Sequence, residues 1–271
     1  MLRRSFYTFS GCFFILLTAC HTPKPSLQQL NYPSRVTGSG FFRNITGMDT
    51  HQRDSLAMLC LLGGNFPGFL RHLEPVTVEG AHPQTGKRNS ITFWVTPDYL
   101  SIGTDNDWVR MPLSPKAAQV VADSLDCFLP TATMCDEIYR AAAVKLEPVP
   151  LYAFRDSTPV LLHHHLIIEG QRQGRKGLIA GIKKDVVLTE KLSERPNRVA
   201  IYGWHKPEGR PIQPLYTGHV DWYVDYSHGI RLVSRQLLVN GRWMDYTKVW
   251  ADEALRYLLC GTEKATVTRY N

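Results

Sequence analysis

Four common features are missing from this sequence of 271 residues, and each absence narrows the class of protein to which it can belong. None of its six cysteines forms a Cys-x-x-Cys pair, so a zinc site built from thiolates is not expected. After residue 19 no apolar run is long enough to cross a bilayer, which argues against a spanning helix in the rest of the chain. There is also no internal repeat and no low-complexity tract, and the length fits one large domain or two small lobes.

The first twenty residues have the pattern of an export signal. Arg3 and Arg4 precede a mostly apolar segment, 6–19, that is too short to span a bilayer comfortably. The segment ends in LTAC, which resembles the bacterial lipobox, where cleavage leaves the cysteine as a lipidated first residue. Cys20 is therefore the predicted lipidation site, and the polar stretch after it is the predicted tether to an envelope membrane, on the periplasmic or outer-membrane face. The alternative is a plain signal peptide that ends in a cysteine by chance.

The charge balance is mildly basic. Residues 1–19 contain two arginines and no acid, so their removal lowers the formal charge from +7 to +5. Most of the remaining lysines and arginines are scattered, which is typical of a solvated surface that tolerates anionic envelope polymers. Because export is predicted, nucleic acid is not an expected partner. The expected partners are a membrane, through Cys20, and peptidoglycan or another envelope polymer.

Helical signals dominate the first half of the chain and strand signals the second. Helices are predicted from about Asp54, from Ser114 and Pro115 as cap and first residue, from Thr133 as a cap, and over TKVWADEALRYLLC. The segments VLLHHHLII, DVVLT, RVAIYGW and HVDWYVDYSHGIRLVSRQLLV are rich in β-branched and aromatic residues, and Asn240-Gly241 is a hairpin dipeptide. This order predicts an α+β fold with a mixed or antiparallel sheet and flanking helices.

The predicted domain organisation follows from these signals. A signal peptide occupies 1–19, a tether 20–40 and a single α+β domain 41–271, with a seam between two halves near 148–159. Cys127 and Cys135 flank a predicted turn between two helices, so they are expected to lie close enough for a disulfide. Cys60 lies in the apolar run AMLCLL and is predicted to be a core residue rather than a nucleophile.

The densest group of titratable side chains lies between residues 205 and 231. His205 ends one predicted strand, and the next predicted strand, HVDWYVD, begins at His219. Alternate residues of a strand share a face, so Asp221 and Asp225 are expected in line with His219. A bend permitted by Gly229 is expected to expose the side chains just before it. The candidate catalytic residues are His205, His219, Asp225, Ser227, His228 and Arg231, the last as an oxyanion or carboxylate clamp.

The segment YSHGIRLV, with VAIYGWH upstream, resembles the signature of the L,D-transpeptidases, which carry an early histidine in an I-H-G strand and then S-H-G-C-x-R. Ser227, His228, Gly229 and Arg231 fit that motif. Ile230 follows Gly229 and the motif is one residue short, so the resemblance implies an envelope enzyme without the thiolate chemistry of that family. NFPGFLRHLEPVTV, KKDVVLT and YVDYSHGIRLV together are also similar to an uncharacterised family of exported bacterial lipoproteins.

Without a nucleophilic cysteine, two mechanisms are open. His205, His219 and His228, with Asp221 or Asp225, are candidate ligands for zinc, which accepts imidazole and carboxylate and activates water, although their spacing matches no standard short zinc motif. Alternatively, a histidine oriented by an aspartate activates the Ser227 hydroxyl or a water. Two non-catalytic interpretations also stay open, in which these residues satisfy one another beside a sheet or bind a ligand without chemistry.

The sequence thus predicts an envelope-anchored lipoprotein, with hydrolysis of peptidoglycan or another envelope polymer, peptidase-like or amidase-like, as the first hypothesis. The alternative is a non-catalytic envelope-binding or structural lipoprotein. Three further polar clusters have simpler predictions. The histidines at 163–165 are expected on a buried strand, and residues 105–107 in a turn rather than a calcium site. Residues 183–185 are expected in a solvated turn, with a loop that brings a charge to a cleft as the alternative.

Overall fold

The computed structural model describes residues 24–27, 36–264 and 266–271. The predicted signal peptide and Cys20 lie outside the described residues. Within the predicted tether, Leu27 is buried, Ser26 forms an isolated bridge with His72, and the first helix begins at Gly38. No helix in the described residues is both long and apolar enough to cross a membrane.

The described chain forms helices and several antiparallel or mixed sheets without a barrel, which confirms the predicted α+β class. The α-helices are α1 (Gly38–Asn44), α2 (Thr50–Leu62), α3 (Pro115–Ser124), α4 (Ala132–Ala141), α5 (Thr158–Arg172), α6 (Tyr246–Ala251) and α7 (Glu253–Cys260). The strands are β1 (Glu74–Ala81), β2 (Arg88–Val95), β3 (Ser101–Gly103), β4 (Trp108–Arg110), β5 (Cys127–Phe128), β6 (Val144–Lys145), β7 (Ile179–Ala180), β8 (Lys184–Val186), β9 (Ile201–His205), β10 (Pro211–Tyr216), β11 (His228–Gly229), β12 (Val233–Ser234), β13 (Gln236–Val239) and β14 (Arg242–Asp245). Short 3-10 helices lie at Gly68–Arg71 and Glu190–Leu192.

Two sheets carry most of the strands. The larger one is antiparallel, with the order β14-β13-β2-β12-β5, and β1 also pairs with β2. The smaller one is mixed, with the order β10-β9-β8-β11, and its β8–β11 pair is parallel. This mixed sheet places the segments that contain Lys184, His205 and His228 on neighbouring strands.

The two sheets share one hydrophobic core. Helix α4 contacts β9 of the mixed sheet as well as β1 and α7. Buried side chains from both sheets, such as Phe93 of β2 and Ile201 of β9, belong to the same apolar cluster, together with Met134 of α4. Burial of this cluster therefore fixes the position of the mixed sheet, on which the candidate site is built.

Local signals in the sequence are confirmed where capping or turn chemistry decides the structure. Ser114 caps α3 through its side chain and Pro115 is the first helical residue, as predicted. The Asn240-Gly241 dipeptide joins β13 to β14, and both residues have positive φ, 49° and 80°, as a tight hairpin turn requires.

The strand predicted over VLLHHHLII is wrong, because this segment lies within α5. Pro159 stands in the first turn of the helix, where its missing N–H costs nothing. Leu161, His164, His165 and Ile168 are buried, and their spacing of three, one and three residues matches one helical face rather than a strand. His164 and His165 therefore point inward together, while His163 is exposed.

The strand predicted over HVDWYVD also does not form. In the described structure, Val220 makes only an isolated bridge with Arg198, and the chain turns back at once, with the Tyr223 N–H donating to the Val220 carbonyl. Smaller corrections concern helix ends. Helix α2 is capped by Asp49, α4 by Thr131 rather than Thr133, and the C-terminal helix is divided at Asp252, whose side chain caps α7.

The predicted disulfide is absent, since the four described cysteines are free thiols. Cys127 packs into the main core and its thiol donates to the Leu125 carbonyl, whereas Cys135 belongs to a small separate cluster with Val187 and Ala200. The intervening segment is strand β5 and the start of α4 rather than a simple turn. Cys60 is partly buried against the core, as expected, and burial raises the pKa of its thiol.

Candidate functional site

Four of the predicted site residues come together at one end of the mixed sheet. We call this group the Asp225–His228 site, and it consists of His219, Tyr223, Asp225, Ser227 and His228 with Lys184 of β8 and Arg155 of the loop before α5. The segment 219–228 supplies five of the seven residues. The parallel pairing of β11 with β8, in which His228 lies opposite Lys184, adds the lysine.

Asp225 is the buried anion at the centre of the site. Only 1% of its side chain is exposed. Its oxygens accept hydrogen bonds from the Ser227 N–H at 2.8 Å, the Ser227 hydroxyl at 2.5 Å and the Tyr223 hydroxyl at 3.2 Å. Arg155 completes the set at 2.9 Å. Burial alone would raise the pKa of Asp225, but His228, which is protonated in the acid range where this carboxyl titrates, the Ser227 hydrogen bonds and Arg155 lower it to about 2. The carboxylate is therefore ionised at neutral pH.

His228 is the least satisfied polar group of the site. Its side chain is 1% exposed, and neither Nδ1 nor Nε2 has a hydrogen-bond partner among the described residues. Its Nε2 lies 3.9 Å from Asp225 Oδ1, which is beyond hydrogen-bond distance. Burial lowers the pKa of His228 to about 4 against the opposing effect of Asp225. At neutral pH this is an uncharged ring with both nitrogens free, beside an ionised carboxylate.

An aromatic pair covers this imidazole. The His219 ring lies 4.5 Å from the Tyr223 ring and 6.3 Å from the His228 ring, between centroids, and Tyr223 lies 5.8 Å from His228. Both covering side chains are half-buried, and Trp222 between them in the chain is exposed. Burial lowers the pKa of His219, and burial together with Asp225 raises the pKa of Tyr223 to about 12. The two partly exposed rings thus pack against the buried ring of His228.

Two consecutive lysines lie on opposite sides of this region. The Lys184 ammonium lies 4.9 Å from the centre of the Trp204 ring, and burial lowers its pKa. Lys183 is buried behind the site, where its ammonium donates to the Tyr226 carbonyl and lies 3.2 Å from His164 Nδ1. Burial, assisted by Arg110, lowers the pKa of Lys183 to about 7. The prediction of a solvated turn over 183–185 is wrong, because all three residues are buried in or next to β8.

His205 does not belong to the site. Its Nε2 lies 2.8 Å from Asp136 Oδ1, which also accepts from the Tyr202 hydroxyl at 2.8 Å, and its ring stacks on Tyr139 with 4.6 Å between centroids. His205 and Asp136 line a separate open groove of about 460 Å³. Asp221 also makes its ion pair outside the site, with Lys116 of α3 at 3.1 Å. The single predicted cluster is therefore divided, because 218–227 is a folded-back loop rather than a strand.

Arg231 has a structural role instead of the predicted clamp role. It is 1% exposed, donates to the carbonyls of Thr96 and Ile179 at 2.9 and 2.7 Å, and lies over the Tyr99 ring at 4.2 Å. Its Nε lies 3.6 Å from Asp185, and burial raises the pKa of that carboxyl to about 6. Every contact of Arg231 is directed into the protein, so it presents no charge to a cleft.

The expected exposure of Ser227 and His228 at Gly229 is also wrong. Both side chains are buried, and the Ser227 hydroxyl is committed to Asp225. A Cβ on Gly229 would lie 2.6 Å from Tyr99 Cε1 and 2.7 Å from Lys183 Cβ. Glycine is needed here for close packing between strands rather than for a bend toward solvent.

The three predicted zinc ligands are not assembled. Among the described residues no group of three or more histidine, cysteine, aspartate or glutamate side chains has an arrangement that could hold a metal ion. His219 and His228 are neighbours, but His205 makes its contacts with Asp136 and the tyrosines of the groove. The proposed three-histidine geometry is therefore wrong, while zinc binding itself stays a prediction.

Comparisons with protein-family models, curated proteins and solved structures find no match to this chain. The similarities to the L,D-transpeptidase signature and to an exported lipoprotein family therefore stay predictions. Interpretation of the site depends on its own geometry.

Several contributors to the site were missed in the sequence. Lys184 had a local signal, since only Asp185 separates it from the apolar run VVL, and such a run can extend a buried strand over the charged residues before it. Arg155 had none, because its contact with Asp225 depends on the packing of a loop far away in the chain. Tyr226 holds that loop in place, since its N–H donates to the Arg155 carbonyl and its hydroxyl hydrogen-bonds to the Leu151 backbone.

The free energy of unfolding is expected to rise with pH between about 4 and 6.5, in part because of His228. The pKa of His228 is about 4 in the folded protein and ordinarily 6.5, so in this window the unfolded chain binds a proton that the folded chain does not, which favours unfolding at the acid end. At about 1.4 kcal/mol per pH unit, the contribution is about 3 kcal/mol. His228→Leu should remove this part of the slope in urea unfolding measured across the window.

The control for this prediction is His163→Leu, because His163 is exposed on α5. This variant should keep the wild-type slope. The groups that face His228, namely Asp225, Lys184, His219 and Lys183, are unchanged in both variants. If His228→Leu and wild type show the same dependence of unfolding free energy on pH, the ring is not held neutral by burial.

Proposed function

We propose that this protein is an envelope-anchored hydrolase that cleaves an amide bond in peptidoglycan or another envelope polymer. The observation that carries the proposal is His228, a buried and uncharged imidazole with both nitrogens unpaired, 3.9 Å from the ionised Asp225. A neutral imidazole can accept a proton from water, and a neighbouring carboxylate stabilises the imidazolium that forms. A buried ring kept only for structure would be expected to hydrogen-bond to the protein.

The reaction needs only a water and the amide. One nitrogen of His228 takes a proton from the water as its oxygen attacks the carbonyl carbon, and negative charge develops on the carbonyl oxygen. When the tetrahedral intermediate collapses, the C–N bond breaks, and the imidazolium returns its proton to the leaving amine.

Ser227 supports this chemistry indirectly. Its hydroxyl is fully buried and donates to Asp225, which at a pKa of about 2 is a weak base for activating it. We therefore assign Ser227 to positioning of Asp225 and assign water, rather than Ser227, as the nucleophile. Substrate reaches His228 when the His219–Tyr223 pair moves aside, as loops over buried active sites do.

The test is incubation of the purified protein, without its lipid, with dye-labelled peptidoglycan sacculi. Release of soluble dye, with new amine and carboxylate ends identified by mass spectrometry, is the expected result. The assay is repeated with EDTA and with added zinc, and the proposed mechanism expects the same rate in each. A loss with EDTA that zinc restores would assign water activation to a metal instead, and an absence of cleaved products would count against the hydrolase.

The envelope location has its own prediction. If Cys20 carries the lipid, Cys20→Ala should leave an unlipidated precursor and move the protein out of the detergent-extractable membrane fraction that the wild type occupies. Cys60→Ala is the matched control, since Cys60 is partly buried in the core and should not alter the fractionation. A wild-type protein found free in the periplasm would contradict lipidation.

A second candidate is a non-catalytic envelope-binding lipoprotein. It is favoured by large aromatic side chains that are exposed near the site, since Tyr152 and Phe154 are 89% and 80% exposed and Trp222 is 53% exposed. Exposed aromatic groups of this kind commonly mark binding surfaces. Co-sedimentation of the protein with intact sacculi, without any cleaved bond, would support this function over hydrolysis.

A further inference from the structure

The polar atoms left without partners around the Asp225–His228 site are mostly donors. Arg155 Nε and the indole nitrogen of Trp204 have no hydrogen-bond partner among the described residues. The Lys184 ammonium lies over the Trp204 ring and makes no hydrogen bond or ion pair within the part of the chain that the structure describes. Neutral His228 adds one donor and one acceptor. Buried donors are normally paired, so this excess indicates a missing acceptor.

These donors belong to one small region. Arg155 contacts Asp225 at 2.9 Å, and Lys184 lies opposite His228 in the β8–β11 pair. Lys184 is also within electrostatic range of both Asp225 and Arg155. Trp204 is 5% exposed and contacts Lys184 through its ring face, so it forms the floor beneath the ammonium.

The charge of the region identifies the kind of ligand. Lys184 and Arg155 bring two positive charges, and Asp225 brings one negative charge that is already bound by Ser227, Tyr223 and Arg155. Lys183 is bound to the Tyr226 carbonyl behind the site, so one positive charge is left uncompensated on the side of Lys184 and Arg155. A single carboxylate neutralises it, whereas a phosphate group, with about −1.5 to −2 charges at neutral pH, would exceed it. Two carboxylate oxygens also match the mixture of ammonium, guanidinium and indole donors.

We propose that Lys184, Arg155 and Trp204 form a subsite that binds a carboxylate of the substrate beside the amide attacked from His228. This inference rests on the proposed hydrolase function and narrows its substrate to an amide whose acyl or amine side carries a free carboxylate. Arg155, with 40% of its side chain exposed, is the member nearest to solvent, and Lys184 and Trp204 are buried. The ligand anion thus supplies the acceptor that the protein lacks.

The test measures binding rather than turnover. N-acetylglycine carries the carboxylate, and N-acetylglycinamide is its uncharged match of the same size. Titration calorimetry at low salt should show saturable binding of the acid and at least tenfold weaker binding of the amide. Inorganic phosphate is the third probe. Phosphate binding tighter than that of N-acetylglycine, or equal binding of acid and amide, would overturn the carboxylate assignment.

Variants locate the subsite. Lys184→Met should weaken binding of N-acetylglycine at least tenfold, and Lys184→Arg should restore part of it. Arg155→Gln is a second variant at a partly exposed position, and it should also weaken binding. Asp225 keeps its hydrogen bonds from Ser227 and Tyr223 in this variant, and the thermal midpoint checks that the fold is retained. Lys87→Met is the control, because Lys87 is exposed in the turn between β1 and β2 and is not part of the site. This variant should bind N-acetylglycine as wild type does.

The design separates the two proposals. His228→Leu lacks the proposed base but keeps Lys184, Arg155 and Trp204, so it should bind N-acetylglycine within about twofold of wild type. If wild type binds the acid and releases nothing from sacculi, the hydrolase proposal fails while the subsite stands. If Lys184→Met and Arg155→Gln both bind N-acetylglycine as wild type does, the subsite is wrong whatever the enzymatic result.

Discussion

The His228→Leu variant is expected to cleave peptidoglycan about 10²–10⁴-fold more slowly than wild type, which is the usual contribution of a general base. It is also expected to keep its fold. Because neither ring nitrogen is hydrogen-bonded to the described protein, the substitution breaks no internal hydrogen bond. It removes two unpaired buried polar atoms and replaces the ring with an apolar group, a change that is often neutral or stabilising. The variant should therefore lose its cleavage rate without losing thermal stability.

The measurements are the initial rate of dye release from sacculi and the thermal midpoint of the same preparation. His163→Leu is again the matched control, and it should leave both unchanged because its ring is exposed on α5. A His228→Leu protein that melts well below wild type, yet releases dye at the wild-type rate, would show that the imidazole is structural. That outcome would remove the catalytic interpretation of the Asp225–His228 site.

Asp98→Ala is expected to destabilise the protein by about 3–5 kcal/mol, the usual result of leaving a buried charge without its partner. Asp98 and Arg110 are each 1% exposed. Asp98 accepts from Arg110 Nε at 2.9 Å and from Arg110 Nη2 at 2.7 Å, and from the Tyr99 N–H at 2.7 Å. Burial would raise the pKa of Asp98, but Arg110 and the Tyr99 hydrogen bond lower it. Without this carboxylate, Arg110 retains Glu169 at 2.8 Å as its acidic partner.

Equilibrium unfolding in urea, with the thermal midpoint, checks this prediction. A loss of this size should lower the midpoint by about 10 °C in a chain of this length. Glu169→Gln is the control, because Glu169 is 29% exposed and its loss should cost about 1 kcal/mol or less. The double variant Asp98→Leu with Arg110→Met removes both charges and should recover much of the stability. An Asp98→Ala protein as stable as Glu169→Gln would mean that the partly exposed Glu169 alone compensates the buried charge of Arg110.

Predictions from the sequence succeeded where the deciding interactions are local. The cap of α3 at Ser114 and the hairpin at Asn240-Gly241 depend on neighbours within a few residues, and both are confirmed. The α5 segment failed because a short apolar run with β-branched residues, such as VLLHHHLII, fits a buried strand as well as a helix. The spacing of its buried residues, from Leu161 to Ile168, is helical, but which residues are buried is decided by the surrounding structure.

The candidate site was predicted in part for the same reason. His219, Asp225, Ser227 and His228 are near one another in the chain, so their grouping survived although the strand that was expected to align them does not form. His205 was wrongly included. Its position at the end of a predicted strand suggested that it faces the site, but the sequence did not show that its ring contacts Asp136 on α4. Arg231 was assigned as an oxyanion or carboxylate clamp because it follows Ser227 and His228 in the chain, and only its contacts with Thr96 and Ile179 show its structural role.

The sequence by itself determined the α+β class, the cap of α3, the hairpin and the grouping of polar side chains from His219 to His228. Each of these follows from nearby residues and their periodicity. Only the tertiary structure decided which of these polar groups meet and in what protonation state. The parallel pairing of β11 with β8 brings Lys184 opposite His228, and the packing of a distant loop brings Arg155 to Asp225. Burial then holds the imidazole neutral and leaves its nitrogens free, since desolvation and pairing depend on every element packed around a group and not on its place in the chain.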